Sequence, residues 1–492
     1  MKRFGLLLLG FVAIVAAGSL AKAADDDTDN KFTIHGEVRF RGEGWYNVTD
    51  FTDTDAAIDN TDTNDSLSLF PYRVRLAAMG DLGKDIWVFG EFQAAGVAGG
   101  GIFGEIDPLF GDETEVFGGD VSLYQGYVKA MDIGNSVTDL TFGRMEIVFD
   151  RGLQFSALEF YNGISHDAVM AGWDWESMGL HVFWIQNTEL NLTLGTPTVG
   201  DADNNTLGVH WNTMVGEGDK QDVAAYIFYQ IQNGPPIDPG QDRGKIYTIG
   251  GRWGRTMIGE TGFLWNIEAA IQTGDVQPCV NTSFPFPTGV CFDEAIDLSA
   301  QVAEAAFGFN WHGGKTDQKV WVGGVYASGD DGIPIDPTED ELEAYQPLFP
   351  DFHNRLGLMD LLNVTNVISL SAGYQINVDD RHIFGVQFYD FSKAEENDTN
   401  FSPLTGVQIT PSVADCLVFT GVECENDSIG QELDLWYTYA MTNNFSFDTA
   451  VTYFNPGDAV EDFQSTFDTI PGEEEFGEDG AYRIWGQVRA RW

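Results

Sequence analysis

Tyr482-Arg-Ile-Trp-Gly-Gln-Val-Arg-Ala-Arg-Trp492 alternates without a break. Tyr482, Ile484, Gly486, Val488, Ala490 and Trp492 share one face of an extended chain; Arg483, Trp485, Gln487, Arg489 and Arg491 share the other. Side chains of a β-strand point to opposite sides in turn, so this period of two marks a strand between unlike surroundings. One side is oily and the other is wet. The same texture recurs upstream near 32–46, 69–80, 85–96, 121–131, 138–147, 166–173, 179–187, 205–213 and 222–231. It continues near 246–254, 262–273, 298–311, 318–328, 365–376, 382–391, 430–440 and 445–454. With 481–492 this predicts about eighteen strands, an even number, as bacterial single-chain barrels require.

The connections alternate in length. Short ones run Asp81–Lys84, Asp132–Val137, His312–Asp317, Asn377–Arg381 and Met441–Asn444; long ones span 47–68, 97–120, 188–204, 274–297, 329–364, 392–429 and 455–480. Short periplasmic turns and long outer loops are the habit of outer-membrane barrels, whereas a soluble sandwich has no reason to alternate so. In hydrocarbon no water satisfies an open sheet edge, so such a sheet must close on itself. The expected fold is therefore an all-β transmembrane barrel of antiparallel strands.

The start of the chain agrees. Lys2 and Arg3 precede the apolar run Phe4–Ala17, and Ala21-Lys22-Ala23 reads as a cleavage site, so residues 1–23 are expected to be a signal peptide and 24–492 a single barrel. No later stretch approaches the ~18 apolar residues of a membrane helix. Gly is plentiful at 57 residues and aromatics reach 13%, which suits strands and turns. An aromatic ending on the apolar face resembles the terminal strand that the outer-membrane assembly machinery reads. Lipid and lipopolysaccharide are the expected surroundings, with small solutes or saccharides as cargo.

The formal net charge is −51. Nucleic acid is excluded as a partner, because phosphate contacts need clustered Lys and Arg. Acids crowd the loops: Asp458, Glu461, Asp462, Asp468, Glu473, Glu474, Glu475, Glu478 and Asp479 in one, Asp50, Asp53, Asp55, Asp59, Asp62 and Asp65 in another. They read as solvated loops or as a negative mouth. Asp330, Asp331, Asp336 and Asp340 form a carboxylate-rich loop that could take calcium, without EF-hand spacing. No other cofactor is expected. Cys279 with Cys291, and Cys416 with Cys424, are close pairs in outer loops and read as disulfide candidates.

Arginine is rationed and strand-borne. Arg39 and Arg41, Arg73 and Arg75, and Arg483, Arg489 and Arg491 lie on the inward register of the first, second and last strands. Closure makes those strands neighbours, so the seven side chains should share one lumen stripe. An Arg facing mid-membrane lipid would cost ~2–4 kcal/mol, which favours the inward assignment. Arg252, Glu37, Glu43, Glu91, Glu268, Glu304 and Asp434 are placed inward too, giving a lumen of mixed sign. Trp87 and Phe89, also inward, could line a sugar path or pack against an infolded loop.

Several segments resemble the alginate export porins of Gram-negative outer membranes. They are Tyr345-Gln-Pro-Leu-Phe-Pro-Asp-Phe-His353 with Gly357-Leu-Met-Asp360, and the preceding Ala327-Ser-Gly-Asp330. Phe142-Gly-Arg-Met-Glu146, Phe149-Asp-Arg151, Glu432-Leu-Asp434 and Phe454-Asn-Pro-Gly-Asp458 extend the likeness over most of the chain. The resemblance implies an eighteen-stranded barrel with loops closing the pore, and passage of a uronate polysaccharide through an Arg-lined constriction. Arg144 and Arg151 are the positions it assigns to that constriction. The stretch Gly152–Asp167, however, holds Glu159 and no arginine, where the family is rich in Arg. An acidic mouth would also repel a polyanion, although salt screens this beyond ~10 Å. The likeness thus carries the fold and the transport class and leaves the substrate open.

The expected function is a channel for ions or saccharides with selectivity set by lumen charges. The alternatives are a barrel that binds or sheathes a secreted or electron-carrying partner, and, further off, a barrel hydrolase. The seven histidines, at 35, 166, 181, 210, 312, 353 and 382, accompany no GxSxG or HExxH motif, so no enzyme activity is expected. CxxCH is absent as well, so the chain itself binds no haem.

Overall fold

A computed structural model describes residues 32–48, 66–83, 85–98, 121–134, 136–189, 203–216, 221–231, 244–255, 261–276, 279–281, 289–291, 296–331, 341–379, 381–396, 398–401, 408–410, 426–465 and 479–492. Its body is a closed barrel of 18 antiparallel strands. In chain order they are β1 Phe32–Tyr46, β2 Pro71–Asp81, β3 Ile86–Val97, β4 Ser122–Ala130, β5 Thr138–Met145 and β6 His166–Asp174. Then come β7 Met178–Glu189, β8 Asp203–Val215, β9 Gln221–Ile231, β10 Lys245–Arg255, β11 Gly262–Val276 and β12 Ile296–Gly313. The last six are β13 Thr316–Ala327, β14 Val367–Val378, β15 His382–Ser392, β16 Ser428–Thr442, β17 Phe445–Pro456 and β18 Ala481–Arg491. Each strand found from alternation is present, with its ends moved by a few residues. The predicted signal peptide lies outside the described residues.

Each barrel strand pairs with its chain neighbours, and β1 pairs with β18 from Glu37↔Arg491 to Tyr46↔Tyr482. That last ladder removes the sheet's two edges, which satisfies the backbone where no water can. Burial confirms which register faces out. On β18, Tyr482, Ile484 and Val488 are exposed while Arg483, Trp485 and Gln487 are buried. On β13, Val320, Val322 and Tyr326 face outward and Val325 and Ala327 face inward. The outward side chains form the oily belt that the alternation promised.

The connections alternate around the whole barrel: every odd-to-even connection, from β1–β2 to β17–β18, is long, and every even-to-odd one is short. Two long connections were not counted among the long loops from sequence, and one of them joins β9 to β10 over residues 232–244. The other joins β5 to β6 over residues 146–165, and with the described parts of the β13–β14 connection, residues 328–331 and 341–366, it folds into the lumen.

Cys279 and Cys291 stand opposite each other in a short two-stranded ladder. Opposed antiparallel Cα atoms are ~4.5–5.5 Å apart, inside the range a disulfide spans. Cys416 and Cys424 lie outside the described residues. Peptide mapping without reduction should recover residues 279 and 291 in one crosslinked peptide; two alkylated thiols there would refute the pairing. V322R, which puts a charge on the outward face midway along β13 at a site 57% exposed, should destabilise the barrel by ~2–4 kcal/mol. Urea unfolding in lipid vesicles measures this, and an unchanged midpoint would take Val322 off the lipid face.

Candidate functional site

The lumen is built from the two infolded connections, here the first insert (146–165) and the second insert (328–331 and 341–366). They are tied by a parallel bridge between Phe155 and Phe349. Its hydrogen bonds run from Phe349 N to Gln154 O (2.9 Å), Ser156 N to Phe349 O (2.8 Å) and Asp351 N to Gly152 O (2.9 Å). Gly152 and Gly357 have φ of 75° and 90°, a left-handed backbone that glycine adopts at low cost. At Gly357 a side chain would also collide with the Glu432 carboxylate.

Aromatic and aliphatic residues of the inserts pack against an apolar part of the inner wall. Phe155 meets Phe228 edge-on at 5.1 Å and Phe183 at 5.6 Å. Leu153, Tyr345, Leu356, Met359 and Leu362 are buried in the same cluster. Side chains that would face water in an empty pore therefore form a core.

The other side of the first insert is held by the arginine seam. Arg39 donates to the carbonyls of Glu159 (2.7 Å) and Tyr161 (2.5 Å), and Arg41 to that of Phe160 (2.7 Å). Arg73 bridges Glu37 (2.6 Å) and the Glu159 carboxylate (2.7 Å); Arg75 reaches the other Glu159 oxygen (2.6 Å), Gln93 (2.6 Å) and the carbonyl of Asn162 (2.8 Å). Arg483 binds Glu43 (3.0 Å) and the carbonyl of Leu358 (2.6 Å), and pairs with Asp360 of the second insert. All five guanidinium groups are buried. A buried charge needs a partner, and these have several each.

Acids complete the clamp. Burial opposes ionisation of Glu159, but Arg73 and Arg75 outweigh it and hold the carboxyl down at about 2. Burial and the charge of Glu159 push Glu146, just past β5, up to about 7. Asp360 is held below its usual value by His353 and Arg483 in spite of burial. His353 contacts Asp360 at 2.8 Å and stacks on Phe160 at 3.7 Å. Asp434 and Glu432 accept the N–H groups of Leu358 (3.2 Å) and Met359 (2.9 Å).

The predicted stripe is thus present, but it is consumed. Arg489 and Arg491, nearer the short-turn end, are half-buried and exposed; they approach Asp448 (3.9 Å) and Glu37 (3.0 Å). Glu91 accepts from Gln125 at 2.9 Å. Arg252 faces inward and bonds Asn266 at 2.7 Å. Arg144 departs from expectation. It shares the outward register of exposed Phe142 and pairs with Asp167 at 2.6 Å, close to the outer end of β5 and β6. Its guanidinium therefore points away from the lumen, and it lines no constriction there.

Two openings stand out among the described residues. The larger, about 820 Å³, lies between the inserts and β10–β18 and is lined by Arg151, Lys319, Arg489, Trp321 and Trp436, among others. Arg355 and Glu304, also on its wall, pair with each other at 2.7 Å. Arg151 and Lys319 make no ion pair with a carboxylate among the described residues. The smaller, about 380 Å³, is lined by His181, His210, Asp150 and Arg252. His210 contacts Asp150 at 2.8 Å and stacks on Phe149 at 4.3 Å.

Sequence reasoning missed Lys319, Arg355, Trp321 and Trp436. Lys319 and Trp321 were legible, because Val320 and Val322 face out and force their neighbours in; Arg355 sits in the second insert, where no period exists to read. In the suspected calcium loop, Asp330 accepts the N–H of Glu343 at 3.0 Å, and Asp336 and Asp340 lie outside the described residues. Among the described residues no group of three or more His, Cys, Asp or Glu is arranged to hold a metal ion.

Comparison with known proteins follows the same lines. Residues 52–468 match the family model described as alginate export. No curated protein sequence matches the chain. Among solved structures, OccK8 (OprE) of Pseudomonas aeruginosa superposes with a TM-score of 0.50 at 10% identity, covering 94% of this chain and 98% of that one. OprD of Pseudomonas aeruginosa gives 0.49 at 10% identity, over 94% and 95%. OprB of Pseudomonas putida gives 0.44 at 11% identity, over 94% of each chain.

E159Q removes the anion shared by Arg73 and Arg75 and should lower the thermal midpoint of the barrel at pH 7. E146Q copies a carboxyl that is already largely protonated below pH 7 and should leave the midpoint at pH 5 near wild type. Because the Glu159 value is depressed, its contribution is present above the ordinary carboxylate range and fades as pH falls toward about 2. Heat-modifiable electrophoretic mobility across pH reads both, and equal loss in the two variants would reject the clamp.

Proposed function

The chain belongs to the alginate export family, and from that premise we propose that it is a passive outer-membrane channel that conducts anions and acidic saccharides through the larger lumen opening. The observation that carries this reading is the division of the lumen's positive charge. Arg39, Arg41, Arg73, Arg75 and Arg483 are spent on the inserts. Arg151 and Lys319 face the opening with their charge uncompensated by an ion pair among the described residues. Fixed charges on a pore wall set which sign of ion enters. Net charge of the chain is then a poor guide, because salt screens charges beyond ~8–10 Å, whereas a permeating ion passes within that distance of the pore-wall cations.

The polysaccharide implied by the family fits as cargo in its chemistry: a uronate presents one carboxylate per ring to such cations. A sheath around a folded partner is disfavoured by the inserts, whose core occupies the lumen a partner would fill. The histidines nearest to a catalytic arrangement, His210 and His353, each spend a ring nitrogen on a carboxylate and stack on a phenylalanine, which is a packing role.

Reversal potential in a KCl gradient across a planar bilayer tests the proposal. Wild type should favour chloride, and the double variant R151Q/K319Q should move toward potassium. Wild-type cation preference, or a double variant with an unmoved reversal potential, would reject it.

A further inference from the structure

The wall of the larger opening carries a feature that charge selection does not require. Trp321 of β13 stands opposite Gly373 of β14, and Trp436 of β16 stands opposite Gly385 of β15. Each indole lies flat over its glycine: a Cβ on Gly373 would collide with the ring of Trp321, and one on Gly385 with the ring of Trp436. Strands β14 and β15 are paired, with Gly373 opposite Gln387 and Gln375 opposite Gly385. The two rings therefore lean inward from either side of a two-strand floor. They meet with centroids 6.4 Å apart and planes tilted by 46°. Gln375 and Gln387 line the same opening beside the glycines, and the Lys319 ammonium sits 4.8 Å from the centre of the Trp321 ring.

Cross-strand aromatic rings often cover glycine simply to shield backbone. Trp492 does so over Gly36 as a single ring. In the lumen the arrangement is doubled and its free surface borders the pore. Leaving indole area against water is unfavourable, and the cost is recovered when an apolar face covers it. We infer that Trp321 and Trp436 form a stacking subsite for one pyranose ring of an acidic saccharide, with Lys319 receiving its carboxylate.

The inference rests on the channel reading and names where its cargo pauses. A pyranose offers a C–H face to the indole and hydroxyls at its rim, which suit the amides of Gln375 and Gln387. The acid group meets Lys319, whose ammonium sits beside the cleft. A flat aromatic acid would instead want parallel walls about 7 Å apart, two ring-contact distances. A wedge of 46° suits a puckered ring better.

The test uses the full chain in a planar bilayer, with tetragalacturonate, maltotetraose or benzoate added on the short-turn side. Tetragalacturonate should produce resolvable current blocks, maltotetraose briefer ones and benzoate none. W436A should shorten the tetragalacturonate block about tenfold, near 1.4 kcal/mol. K319Q should shorten it about threefold while leaving the maltotetraose block as it was. Should W436A fail to show the folded electrophoretic band, W436F keeps a ring over Gly385 and should still shorten the block. Unchanged block times in K319Q and in the folded Trp436 variant overturn the subsite, as do benzoate blocks as long as those of tetragalacturonate. The wild-type reversal potential is read separately. Cation preference there with the block pattern intact would sink the channel's charge reading and leave the cleft standing.

Discussion

A guanidinium group withdrawn from water must find acceptors, and five of them lie side by side along the seam where the first, second and last strands meet. The barrel wall alone cannot satisfy them. Glu37 and Glu43 supply part of the need, and the rest comes from backbone carbonyls at 159–162 and 358 and from the carboxylates of Glu159 and Asp360. The inserts are therefore drawn inward by a requirement of the wall. Their apolar sides then meet Phe183, Tyr226 and Phe228 on the opposite wall, and the lumen is divided.

That division gives the channel its working surfaces. With the five buried seam arginines neutralised, the cations on the wall of the opening include Arg151 and Arg355 of the inserts and Lys319 of β13. A family built to pass a polyanion is expected to line its constriction with arginine. Here the matching segment bears Glu159, and its acid serves as a fastening for the arginines instead of a lining. On the proposed reading, selectivity rests on Arg151, which the family motif contains, and on Lys319, which it does not.

The fold was legible because a membrane barrel writes its physics in every residue: one side in oil, the next in water, over each strand. Tyr482–Trp492 alone predicts its own burial pattern, and closure predicts that Arg39, Arg73 and Arg489 meet. The inserts were not legible in this way. Residues 146–165 and 345–360 have no period, and their shape comes from contacts more than a hundred positions away, such as Arg39 with Tyr161 and Tyr161 with Asp360. Only a likeness to known loops flagged them. Arg144 was misplaced because a match to a motif says nothing about register, whereas its neighbour Phe142 does.

The ladder between β1 and β18 joins the two ends of the barrel, and the bond from Arg483 to Glu43 spans 440 positions. Contacts of such separation are the last to be rewarded during folding, since the intervening chain must be ordered first. The fastening of both inserts depends on side chains from these same two strands. An unclosed sheet therefore carries loose inserts, and the passage acquires its final bore only when the cylinder is sealed. Assembly and permeability are in this way one event: a half-built barrel cannot present the finished pore.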